Sequence, residues 1–118
     1  MEIYKKTTGI FDGQNVVDEE GIEYEVNTNY ASKSKLIDGD KMIVIIYANG
    51  DLRFKTHSPV ARTTFIGKIT AEGTVIDESY REYRVIPSSI AYYRLQEGDI
   101  VACETGLNCA WAAIVSKI

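Results

Sequence analysis

Two lysines and a tyrosine stand close together in "NYASKSKL": Tyr30, Lys33 and Lys35. A second cluster, Tyr92, Tyr93 and Arg94, falls in "AYYRL". Cationic groups attract phosphate and aromatic faces stack on unpaired bases, so this mixture suits single-stranded nucleic acid. Another short basic run is Arg53, Lys55, His57 and Arg62. The plainer role of such residues is to keep a surface soluble while tyrosines cover the edge of a core.

Catalytic constellations are scarce. His57 is the only histidine, so any Ser-His or Cys-His system must be built on it. Beside Ser58 and Pro59 it reads as a solvated loop imidazole. Cys103 and Cys109 are the only cysteines, too few for a structural zinc site. They flank "ETGLN" and read as free, unreactive thiols, since nothing marks an oxidising compartment. The acidic pairs Asp18-Glu19 and Asp77-Glu78, with Glu23 and Glu82, read as polar turns, because no loop has the order of a calcium site. No glycine-rich phosphate loop occurs. Neither a metal nor a cofactor is expected.

The chain has 118 residues and a net charge of −4. Residues 1–59 carry 7 basic and 10 acidic side chains, and residues 60–118 carry 6 and 7, so neither half is a basic domain. The longest apolar run is far too short to span a membrane, and "MEIYKKTTGIFDG" lacks the apolar stretch of a signal peptide. A cytoplasmic location is the expectation.

What must position these groups is a duplication. Shifted by 59 residues, "VVDEEGIEYEVNTNYASKSKLIDGD" aligns without a gap on "VIDESYREYRVIPSSIAYYRLQEGD". Over residues 9–49 and 68–108, 11 of 41 pairs are identical, among them Ile10/Ile69, Val16/Val75, Leu36/Leu95, Gly39/Gly98 and Asp40/Asp99. The seam falls in "THSPVAR", giving repeats of residues 1–58 and 59–118. Short Val-, Ile-, Tyr- and Thr-rich segments predict strands. Each repeat also holds a short helical turn, "YASKSKL" or "SIAYYRL", with Asn29 and Ser88 placed to cap it. "NGD" predicts a two-residue hairpin. The expected fold is all-β, an internally duplicated small barrel with one short helical turn per repeat. A half of this size is marginal alone, so one shared core is preferred over two tandem SH3-like or OB-like barrels.

Leu36-x-x-Gly39-Asp40 and Leu95-x-x-Gly98-Asp99 have a local explanation: glycine opens otherwise closed φ values, aspartate accepts turn N–H groups, and leucine enters the core. These residues also resemble the "GD box" of the cradle-loop barrels, which include double-psi, RIFT and swapped-hairpin folds. The segment "YASKSKL…GD" is similar to one in small bacterial proteins of uncharacterised role. The resemblance implies interlocked halves about a pseudo-twofold axis, bringing the helical turns together. Tyr30, Lys33, Lys35, Tyr92, Tyr93 and Arg94 would then face one partner.

The expected function is a non-catalytic binding module contacting RNA or a ribonucleoprotein. The alternatives are a protein-interaction or oligomerisation module, and a small-barrel enzyme or ligand binder.

Overall fold

Buried and more exposed residues alternate at period two in several strands, as at residues 15–18 and 100–105. The computed structural model describes residues 2–118. The first repeat contains β1 (Ile3–Phe11), β2 (Asn15–Asp18), β3 (Glu23–Glu25), α1 (Thr28–Lys33), β4 (Lys41–Tyr47) and β5 (Leu52–Ser58). The second contains β6 (Thr63–Ile69), β7 (Val75–Ile76), β8 (Glu82–Tyr83), α2 (Pro87–Tyr92), β9 (Ile100–Thr105) and β10 (Ala113–Lys117). Each repeat makes one five-stranded antiparallel sheet, ordered β3-β2-β1-β4-β5 and β8-β7-β6-β9-β10. The two orders are the same, as a duplication requires.

Register corrects the gapless alignment. Gly9 pairs with Met42 in β1–β4, while Gly67 pairs with Val101 in β6–β9. Repeat equivalence is therefore 58 residues in the first strand, 59 through the middle of the repeat and 60 where the last strand begins, so Ile10 and Ile69 are not counterparts. The cause is turn length. Asp12 N–H bonds Asn15 O in one hairpin, whereas Thr70 N–H bonds Thr74 O in the other, one residue longer. The corrected offset makes Gly9 and Gly67 counterparts. Both lie where a Cβ would collide with β2 or β7, against Val17 O in one case and the Val75 side chain in the other.

Other turns depart from expectation. Around "NGD", Gly50 N–H bonds Tyr47 O and Tyr47 N–H bonds Asp51 O. Only Gly50 has positive φ there, so the connection is longer than a two-residue turn. The helices begin earlier than predicted. Asn27, not Asn29, caps α1, its side-chain oxygen accepting from the Asn29 and Tyr30 N–H groups. α2 starts on Pro87 with no side-chain cap.

Both helices end alike. Leu36 N–H returns to Ala31 O and Lys35 N–H to Ser32 O, with Lys35 at φ 56°. Leu95 and Arg94 repeat this geometry, with Arg94 at φ 52°. This left-handed helix stop drives the next leucine into the core. The Gly-Asp turn then bonds back to the first strand: Gly39 N–H to Phe11 O and Gly98 N–H to Ile69 O.

Each sheet carries its own apolar cluster. Phe11, Val16, Val26, Leu36, Met42 and Val44 fill the first, joined by Ile86 and Trp111 from the second repeat. Ile69, Val75, Tyr83, Val101, Cys103 and Ile114 form the second. A small cluster of Ile37, Val60, Cys109 and Ala113 lies between them. Each fully buried side chain of this size stabilises by about 1.5–3 kcal/mol. The molecule measures 47 × 26 × 19 Å, two lobes side by side. Among the described residues no ladder joins β3 to β5, and the first sheet stays open. In the second, one parallel bridge links Arg84 to Trp111.

Candidate functional site

The helical turns do come together. Ser32 and Ser89 hydroxyls lie 2.7 Å apart, and Ser88 donates to the Thr28 hydroxyl at 2.7 Å. Between the helices lies a groove of about 410 Å³, lined by Asn29, Ser32, Lys33, Lys35, Ser88, Tyr92 and Tyr93. Of the six residues expected to share a partner, four line it. Lys33 is exposed and makes no ion pair among the described residues. Tyr92 is 77% exposed and stands edge-on to Tyr93, ring centroids 4.9 Å apart.

Lys35 and Tyr93 are less free. Lys35 Nζ donates to Tyr93 Oη at 3.0 Å and to Ile114 O at 2.9 Å, and sits 5.2 Å from the Tyr93 ring centre. The Tyr93 hydroxyl in turn donates to Val115 O. These two residues tie the repeats together beside the groove they line. Tyr30 and Arg94 lie outside it. Tyr30 donates to Phe54 O at 3.1 Å and packs on the Phe54 ring. Arg94 is exposed at the helix stop.

The second basic run divides as well. Arg53, Lys55 and His57 lie on β5, all exposed, and His57 Nδ1 contacts only the Ser58 hydroxyl, at 2.8 Å. Arg62 does not belong with them. Its guanidinium forks onto both Asp40 oxygens at 2.7 Å and bonds Val60 O and Lys35 O. Asp40 is fully buried and also accepts the Ile37 and Val60 N–H groups. Burial works to raise the Asp40 pKa, but the Arg62 pair and the two N–H bonds outweigh it and hold the carboxyl below its ordinary value. Hydrogen bonding to Asp40 raises Arg62 in turn.

Asp99, the counterpart, accepts only Gln96 N–H within its turn and meets Lys117 at 3.3 Å. The Gln96 bond, together with Lys117, lowers its pKa against a smaller burial effect. The same Gly-Asp turn thus serves two ends. In the first repeat it is the socket of the junction: Asp38 accepts the Ala110 and Trp111 N–H groups at 2.8 and 3.1 Å. Sequence reasoning passed over Asp38 and Trp111. The available signal was the Asp-Gly-Asp run, in which only the second aspartate has an aspartate counterpart.

The aspartates of the acidic pairs are spent on their turns: Asp18 accepts the Glu20 and Ile22 N–H groups, and Asp77 those of Ser79 and Arg81. Both cysteines are buried and free. Burial pushes the Cys103 thiol up to about 12, and burial with Asp38 nearby raises Cys109, so neither is a ready nucleophile at neutral pH. Among the described residues no helix is long and apolar enough to cross a membrane. Comparison with known protein families, with curated proteins and with solved structures returned no match for this chain.

Proposed function

We propose that the chain is a cytoplasmic, non-catalytic binding module whose inter-helix groove takes single-stranded RNA. The observation that carries this reading is an exposed Tyr92 ring, braced edge-on by Tyr93, beside the Lys33 cation, which makes no ion pair among the described residues. A base would stack on Tyr92 while a phosphate meets Lys33, with Asn29 and Ser88 offering polar contacts from the rim. Lys35 and Tyr93 act by holding the two helices at the spacing the groove needs. Whether the RNA is free or part of a ribonucleoprotein does not change the groove chemistry.

The test is fluorescence anisotropy of labelled oligouridylate against the full chain at several salt concentrations. Binding at low ionic strength should weaken steadily as salt rises. Tyr92→Ala should cost about 1–3 kcal/mol of affinity, and Lys33→Glu should reduce both affinity and salt dependence. Absence of binding at low salt, or binding indifferent to both substitutions, would sink the proposal.

A further inference from the structure

We infer that the gap between β3 and β5 of the first repeat receives an extended strand of a partner protein, with acidic and apolar residues alternating along it. The second repeat shows what belongs in such a gap. There Arg84 N–H bonds Ala110 O and Ala112 N–H bonds Arg84 O, so the chain seals its own seam beside β8. Glu25 is the counterpart of Arg84, and the sealing segment corresponds to the residues just before Arg53, since Arg53 on Ile45 matches Ala113 on Glu104. No pairing joins them among the described residues, and a groove of about 520 Å³ lies there instead, bounded by Glu25, Tyr30, Leu52, Arg53, Phe54 and Lys55.

The edge of β5 determines what fits. Phe54 O accepts the Tyr30 hydroxyl, so the backbone of Phe54 faces the gap. In an antiparallel ladder alternate residues turn both N–H and C=O to the same side, so Leu52 and Thr56 face it too. This row of alternating donors and acceptors matches another extended peptide backbone. Side chains opposite Arg53 and Lys55 would sit beside two exposed cations that make no ion pair among the described residues. Carboxylates are favoured at those positions, where two cations of β5 outnumber the single Glu25 carboxylate across the groove, and apolar groups at the intervening ones, which turn toward Leu52 and Phe54. A second copy of β5 is disfavoured, because like charges would face each other. The β10 edge offers no equivalent, since its Lys117 already meets Asp99.

The experiment uses the full ¹⁵N-labelled chain and two blocked heptapeptides, one alternating Glu and Val, the other Lys and Val. The Glu-Val peptide should shift the amides of Leu52, Phe54 and Thr56 and slow exchange of the Phe54 N–H. It should bind roughly tenfold more tightly than the Lys-Val peptide, and the Arg53→Glu/Lys55→Glu variant should reverse that order. Both cations are exposed, so the variant's own spectrum verifies its fold. Silent amides at millimolar peptide, equal responses to both peptides, or an unchanged preference in the variant would overturn the inference. So would oligouridylate moving these same amides in place of the peptide.

Discussion

Asp40 and Asp99 occupy one turn in two copies, yet only Asp40 is sealed from water, with Arg62 forked across both of its oxygens. Removing one member of such a pair leaves a buried charge uncompensated, which is far more costly than losing an exposed contact. Arg62→Ala should therefore destabilise the protein by about 3–5 kcal/mol, measured by chemical denaturation, while Lys117→Ala should leave the midpoint almost unchanged. The pair also sets an acid limit. The folded pKa of Asp40 is lowered, so its contribution is fully present above the unfolded value of about 3.9 and is lost as pH falls through the lower folded value. Below about pH 4 the native protein should lose stability more steeply than Asp40→Asn, although the variant starts lower. Parallel slopes for the two proteins would contradict this account.

At the scale of elements, three hairpin turns end on a glycine with positive φ, Gly21, Gly50 and Gly73. The β7–β8 turn instead ends on Tyr80, the counterpart of Gly21, at φ 65° with its ring 85% exposed. A side chain in the left-handed region costs on the order of 1 kcal/mol, and this ring recovers little by burial. Tyr80→Gly should therefore stabilise by about 1 kcal/mol in thermal unfolding, and Gly21→Ala should destabilise by a similar amount. The elements themselves were readable from sequence, because Leu36-x-x-Gly39-Asp40 and its copy must repeat where a helix stop feeds a strand. Gly9 and Gly67 escaped notice because one extra turn residue shifts them out of a gapless alignment. Arg62 looked like the end of a basic run. Only the chain path shows that β5 carries Arg53, Lys55 and His57 on its exposed surface while the linker turns Arg62 inward.

For the whole molecule, Trp111 is the decisive contact. It is the only tryptophan, it comes from the second repeat, and it enters the apolar cluster of the first. Gly13 makes room for it, since a Cβ at that position would overlap the indole ring. Gly13→Ala should push the ring out, shifting its emission to the red and costing about 1–3 kcal/mol. In the native protein, loss of Trp111 fluorescence should coincide with loss of strand signal in circular dichroism, as one cooperative transition requires. Two separated transitions would mean lobes that fold without each other. Nothing in the sequence marked Trp111 as a bridge, because the first repeat has no aromatic at the corresponding position.

That bridge has a consequence for how the protein is made. In a chain that emerges one residue at a time, the first repeat completes its Gly-Asp turn at residue 40, but the counter-ion for Asp40 arrives only with residue 62. The cavity beside Gly13 stays unfilled, and Asp38 without its backbone donors, until residue 111 has emerged. N-terminal units usually fold first during synthesis. Here the earlier half must wait for the later one, so a truncated nascent chain would hold an exposed apolar sheet and be a natural target for chaperones.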